Sequence, residues 1–241
     1  MRGFQMKKTK TPKHMADTAK QRSNIYGFLA IIYYKEVTPA LLKQIKEPQF
    51  LDVLYELGAK LKDDILKGSE DKIIEDLAVE YTRLFLGPGR HISPHESIHH
   101  ERSDGDWGRF WGKDTVLVKK FIESAGLQYK SEFTGMPDHI SVELEFMQRV
   151  TEREAEAWEE NNSDGALYCL KMEKKFIEEH LAQWIPIFCD KVISQTQLSF
   201  YLEMAKLTKS FIEFEKKEIN KYISEAISFI EGGSSAISPK I

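Results

Sequence analysis

Cysteine is nearly absent: Cys169 and Cys189 are the only two in 241 residues, too few for an all-cysteine structural zinc site. Both fall in one stretch that reads as helix, where their separation corresponds to about 30 Å, beyond disulfide reach. They read as small buried hydrophobes. Long hydrophobic runs are missing as well. The longest mostly apolar one, 26–34, is far short of the roughly 20 residues a membrane helix needs, so no stable membrane insertion is expected. No charged start, apolar middle and small-residue cleavage site occur together at the N-terminus, which predicts a cytoplasmic protein. There is no glycine-rich phosphate loop and no Ser-His-Asp nucleophile context, so neither a cofactor nor nucleophilic catalysis is expected. Strand signals are lacking too, with no sustained period-2 alternation and no Asn-Gly or Asp-Gly turn between apolar runs.

What is present is charge and helical periodicity. The net charge is −4, but residues 1–22 carry Arg2, Lys7, Lys8, Lys10, Lys13, Lys20 and Arg22 against Asp17, leaving −10 on the rest. An acidic body argues against nucleic acid and suits a basic partner. The basic segment 1–15 is expected to be a disordered tail.

A first helix is predicted from about Asp17 to Lys35. Thr38-Pro39 caps and starts a second, and Pro48 starts a third reaching about Lys62. Ser69 caps the next, with Glu70 and Asp71 in its first turn. Its apolar positions Ile73, Ile74, Leu77, Ala78, Tyr81, Leu84 and Phe85 keep a 3.6 period until Gly87-Pro88-Gly89. A polar loop follows, with Trp107, Phe110 and Trp111 as a binding patch or local core. Asp114 is expected to cap a helix ending before Gly126. Pro137 or Asp138 opens a long helix to about Asn161, and Asn161–Gly165 is a turn. Helix resumes from Leu167 to about Ser194, kinked at Pro186. Thr196 caps a last segment that stops at Gly232-Gly233. The fold class is therefore all-α, with roughly nine helices, well above the one-third helix base rate. It is organised as a helical domain over 16–231 with a loose tail over 232–241. Leu127–Met136 is a hinge between helical halves, 16–126 and 137–231, compatible with a monomer or a domain-swapped dimer.

One stretch carries competing chemistries. His95-Glu96-Ser97-Ile98-His99 has the spacing of a zinc hydrolase, with two histidines on one helix face and a glutamate between them as general base. Such a site needs a rigid, seated helix and a third ligand. Here Ile98 is the only aliphatic anchor between His95 and Asp106, and Glu123 is the one tempting third ligand. Further on, His139 and Glu143 lie four apart beside Asp138, as a capped helix with an ion pair or as polar lining of a cleft. Glu143 to Asp164 carries eight acids against Arg149 and Arg153, a solvated face or an attractor for a basic peptide. The residues alone thus leave a zinc-dependent hydrolase, a peptide-binding protein and a helical scaffold for some other ligand.

Four ordered blocks resemble the TorD/DmsD-type cytoplasmic chaperones of molybdenum redox enzymes. They are Tyr81-x-x-Leu84-Phe85-x-Gly87-Pro88-Gly89 with Pro94-x-Glu96-Ser97, and the aromatic loop leading to Val118-x-x-Phe121 and Gly126-Leu127. Pro137-Asp138-His139-Ile140-x-x-Glu143-Leu144-x-Phe146-Met147 and Phe176-x-x-x-His180-Leu181-x-x-Trp184-x-Pro186 with Phe200-Tyr201 complete the set. Nitrate-reductase assembly chaperones share the Pro-Asp-His block but are less similar around Gly-Pro-Gly. The resemblance implies an all-helical, non-catalytic protein without a metal or cofactor. Such a protein binds the twin-arginine leader of an apo-molybdoenzyme subunit and holds it until cofactor insertion is complete. By position it implies Leu84, Phe85, Gly87, Pro88, Pro94, Glu96 and Ser97 on one side of the leader cleft and Pro137, Asp138 and His139 on the other. Glu96, Asp138 and Glu143 would then meet arginines, and Leu84, Phe85 and Trp111 the apolar segment. Met136, His95, His99 and His100 depart from the family pattern and bear on the client's identity.

Overall fold

The computed structural model describes residues 11–87, 89–100, 108, 110–128 and 135–235. Pro88, Trp107, most of the basic tail, residues 129–134 of the connector and the chain end from 236 lie outside them. Among the described residues there is no strand, only an isolated antiparallel bridge between His95 and His139.

Local signals start most helices. Helix α1 spans Pro12–Tyr34, with Thr11 accepting a hydrogen bond from the His14 amide and proline in the first turn. It therefore begins before the expected Asp17, because Thr11-Pro12 is itself a cap-and-proline start. Helix α2 (Pro39–Ile45) is capped by Thr38 as expected. The segment from Pro48 yields two pieces, α3 (Pro48–Glu56) and α4 (Asp63–Leu66). It breaks at Gly58, whose φ of +89° places it in the left-handed region. Ser69 caps α5 (Glu70–Tyr81), which widens into a π turn over Thr82–Leu86 before Gly87. Helix α6 (Lys113–Ser124) is preceded by Gly112 rather than capped by Asp114, which sits in its first turn. Its C-terminal Gly126 takes the expected left-handed φ of +71°.

Helix α7 spans Ile140–Glu159, and neither Pro137 nor Asp138 starts it. His139 is the cap, its Nδ1 accepting from the Ser141 amide. Asn162 caps α8 (Ser163–Phe176). A π turn over Ile177–Leu181 then separates α8 from α9 (Ala182–Gln195). The break expected at Pro186 thus falls one turn earlier. Ala182, whose carbonyl Pro186 cannot hydrogen-bond, is the junction residue. Cys169 and Cys189 lie on either side of it, both buried and free. The long α10 spans Ser199–Ser235, beginning after Thr196 and running through Gly232-Gly233. Thr196 instead ends α9.

Helix α1 packs along α7, and α8 and α9 pack on α10. One hydrophobic core is shared by both sides of the connector, running from Tyr26, Leu29 and Ile32 on α1 through Leu144 and Met147 on α7 to Trp184 and Phe188 on α9. Its middle is polar. Arg22, 4% exposed, reaches Glu215 of α10 through Nε at 2.8 and 3.0 Å, Glu154 of α7 through Nη1 at 2.8 Å, and Glu173 of α8. Tyr26 and the Trp158 indole hydrogen-bond the same carboxylates. A single guanidinium therefore ties four helices together.

Candidate functional site

The π turn after α5 delivers the chain into a loop that folds back, with the Ile92 amide hydrogen-bonding the Leu84 carbonyl at 2.7 Å. The loop then lies across the start of α7 as a short two-stranded bridge. The Glu96 amide donates to the Asp138 carbonyl and the Ile140 amide to the Pro94 carbonyl, both at 2.9 Å. The Asp138 side chain reinforces this, Oδ2 accepting from the Ser97 amide at 3.0 Å. Gly108 itself lies close against Ile98, where a Cβ would be 2.3 Å from the Ile98 Cα.

Glu96 is at the centre and only 1% exposed. Both its oxygens face His180 Nδ1, at 3.0 and 3.1 Å, and Oε1 also faces His100 Nε2 at 3.1 Å. Below it, Glu143 is fully buried and accepts from the Trp184 indole at 3.0 Å. Burial alone would push the Glu96 carboxyl up, but hydrogen bonds and charge from His100 and His180 hold it below its usual value. Burial, then proximity to Glu96, pushes Glu143 well up, so it is the neutral acid of the pair. Three buried oxygens in this seam have no protein partner: Ser97 Oγ, Asp138 Oδ1 and Glu143 Oε1. Buried polar groups are nearly always satisfied; Asp138 Oδ1 and Ser97 Oγ are open to a donor from elsewhere, whereas the neutral Glu143 has its own proton to direct at Glu96.

Burial lowers the pKa of His95, His99 and His139. His99 Nε2–H donates to the Ser93 carbonyl at 2.7 Å, and the ring stacks on Trp184 at 5.4 Å. Burial drives it down to about 4. His139, against the His95 ring at 4.9 Å, is driven by burial and by His95 to about 3. A histidine with a depressed folded pKa binds fewer protons folded than unfolded, so its contribution is lost as pH falls below about 6.5. His100, raised by its hydrogen bond to Glu96, has the opposite sign. The His99 contribution to stability should therefore fall by roughly 1–2 kcal/mol between pH 7 and pH 5, while the raised carboxyls of Glu143, Glu154 and Glu173 act in the opposite direction. Scanning calorimetry at both pH values should show His99→Gln losing less stability, or gaining more, than wild type as pH falls, and an unchanged difference would contradict the assignment.

Of the expected site residues, the fold brings together Pro94, Glu96, Ser97, Pro137, Asp138, His139 and Glu143. The three carboxylates are buried rather than displayed for arginines. The His139–Glu143 ion pair does not form, since His139 faces Ser141 and Glu143 faces Trp184. Leu84 and Phe85 lie in the core beneath the loop, Phe85 within 5.1–6.1 Å of the rings of Tyr33, Tyr81, Phe188 and Tyr201. Gly87 is half-buried at the loop's start. Trp111 is 66% exposed with φ of +59°, beside Phe110, whose ring meets His95 at 5.3 Å. His100, His180 and Trp184 were not singled out as site residues. The four-residue spacing of His180 and Trp184, shared with Glu96 and His100, was the available signal.

The zinc-hydrolase spacing does not translate into a metal site. Glu96–Ile98 is one 3-10 turn rather than an α-helix, and His95 and His99 are engaged by different partners. Glu123 is exposed on α6, against Lys119 at 3.8 Å. Among the described residues no group of three or more His, Cys, Asp or Glu could hold a metal ion, and no helix is long and apolar enough to cross a membrane.

Comparison with known proteins converges on one group. Residues 48–190 match the family described as the nitrate reductase delta subunit. The chaperone protein TorD of Shewanella pealeana is 28% identical over 216 residues, covering 83% of this chain and 91% of TorD. TorD of Aliivibrio fischeri is 25% identical over 220 residues, covering 82% and 94%. A solved structure of a proposed redox enzyme maturation protein from Archaeoglobus fulgidus aligns with a TM-score of 0.49 at 22% identity, over 80% of this chain and 94% of that one.

Proposed function

This chain belongs to the nitrate reductase delta subunit family of TorD-type chaperones, a maturation chaperone rather than an enzyme, and from that premise we propose that it captures the twin-arginine leader of a molybdoenzyme subunit in the cytoplasm. It holds the apo-subunit there until its cofactor is in place. The observation that carries this reading is the seam between the loop at 92–100 and the start of α7. Two carboxyl oxygens and a hydroxyl there lack partners, and the exposed Phe110, next to the exposed Trp111 in the chain, packs against His95. A leader places cationic guanidiniums next to an apolar segment. Carboxyl oxygens suit the first, since charge-assisted hydrogen bonds are the strong ones, and an exposed aromatic pair suits the second. Glu96, Ser97, Asp138, His139 and Glu143 are the polar contacts of this reading, with Pro94 and Pro137 shaping the loop and Trp111 the apolar wall. Leu84, Phe85 and Gly87 support the cleft from below.

Calorimetric titration with a synthetic twin-arginine leader peptide tests it. Binding is expected, and combined Asp138→Ala and His139→Ala substitutions should weaken it by more than about 1 kcal/mol. A folded wild-type chain that binds neither that peptide nor any leader encoded beside its gene would end this reading.

A further inference from the structure

The leader-capture reading leaves a physical difficulty that points further. Asp138 and Glu143 are both 0% exposed, and Glu96 is 1% exposed. No guanidinium reaches them while residues 92–100 lie shut across α7. We infer that His180, presented by the π turn between α8 and α9, is the positioning residue that keeps this strap shut, and that leader capture proceeds through its release.

The strap has few attachments. Two backbone hydrogen bonds and the Ser97–Asp138 contact join it to α7. Three of its side chains reach inward: Ile92 joins the hydrophobic core, the His99 ring stacks on Trp184, and Glu96, the one carboxylate among them, is in the grip of His180. The groups facing Glu96 are His100 on the strap itself, Glu143 on α7 and His180 on the π turn, with Asp138, just before α7, acting on Glu143. Asp114 of α6 acts on it through His100. The Glu96 carboxylate is therefore held by its two imidazole partners and by the neutral Glu143 carboxyl. His100 is half-buried and belongs to the strap, so it moves with Glu96 and cannot anchor it. His180 does not move with the strap. Its ring is seated against Phe176 at 4.8 Å and Phe121 at 5.8 Å, and its helix turn is continuous with the core. The unpartnered Ser97 Oγ, Asp138 Oδ1 and Glu143 Oε1 lie along the strap's seam with α7. Asp138 Oδ1 and Ser97 Oγ are the acceptors among them, and their chemistry fits a guanidinium arriving as the strap lifts. If only the open strap admits the leader, the apparent affinity is reduced by the open fraction, and weakening the clasp raises it.

This inference rests on the proposed function, but its test separates the two. In the full-length chain, native-state hydrogen exchange reads the amides of Glu96, Ser97 and Ile140, and stopped flow reads association of a twin-arginine leader peptide. His180→Leu keeps the apolar packing and removes the hydrogen bonds. It should speed exchange of those three amides more than tenfold, leave the Met204 and Ile212 amides of α10 within threefold of wild type, and speed association at least threefold. His180→Asn places an amide nitrogen where Nδ1 sits and should restore wild-type rates, which a merely structural loss would not predict. If His180→Leu fails to fold, Glu96→Leu, which removes the same hydrogen bonds from the strap's side, should speed exchange of the same amides. Wild-type exchange rates in these variants would overturn the clasp. Faster exchange with unchanged or slower association would overturn its role in capture. A wild-type chain that binds no leader would overturn the function and the gating together, while the exchange rates would still decide whether His180 holds the strap.

Discussion

Arg22→Met should lower the free energy of unfolding by about 3–5 kcal/mol at pH 7, the range found when one member of a buried charge network is removed. Arg22 is the cation that faces Glu154, Glu173 and Glu215, each buried. Methionine fills much of the same volume, so the loss is electrostatic more than a cavity. Burial already pushes the Glu173 carboxyl well up and raises Glu154, with Arg22 pulling both down. Removing Arg22 takes away that pull, so these carboxyls bind protons more readily in the folded state. The sign follows: a folded state that holds extra protons gains relative stability as pH falls. The defect should therefore shrink from pH 7 to pH 5. Urea unfolding at both pH values checks it, and a loss below about 1 kcal/mol at pH 7 would show that the network contributes little. Arg22→Lys should recover only part, because one ammonium cannot replace a planar fork that bridges three carboxylates.

Phe85→Ala should cost about 3–5 kcal/mol of stability, the usual range for emptying a buried phenylalanine site. The side chain is 3% exposed and lies among four aromatic rings drawn from α1, α5, α9 and α10. Those rings are held from several sides: the Tyr81 hydroxyl donates to the Tyr33 carbonyl, and the Tyr201 hydroxyl to the Leu77 carbonyl. They cannot readily collapse into the space. The result separates two roles. A residue contacting the leader would lose affinity with little change in melting temperature, whereas Phe85 should lose stability first. Leader affinity measured well below the melting temperature should fall less than for the Asp138, His139 pair. A Phe85→Ala chain as stable as wild type would place this ring outside the core.

Features with a local cause were legible in the chain. Thr38-Pro39, Ser69 and Gly126 work through their own backbone and the next few residues, and each sits at the element end expected of it; the turn expected over Asn161–Gly165 is shorter, because Asn162 caps α8 from Ser163 on. The order of the four motif blocks was equally readable and identified the family. Signals failed where a neighbour distant in sequence decided the outcome. Arg22 reads as one more cation in a basic segment, and only the convergence of α7, α8 and α10 makes it the hub of the core. His139 and Glu143 share a helix face, but spacing cannot say what covers that face. Trp184 covers it, and so Glu143 is a buried neutral acid rather than half of an exposed pair. The His95–His99 spacing presumes a helix that the loop's bridge to α7 replaces.

The amino-acid sequence by itself determined the helices, their main breaks and the family, because periodicity, caps and motif order are properties of short stretches. Only the tertiary structure decided which charges are buried, and with them what the cleft is made of. A carboxylate's chemistry depends on burial and on partners that arrive from other helices, as His180 and Trp184 do for Glu96 and Glu143.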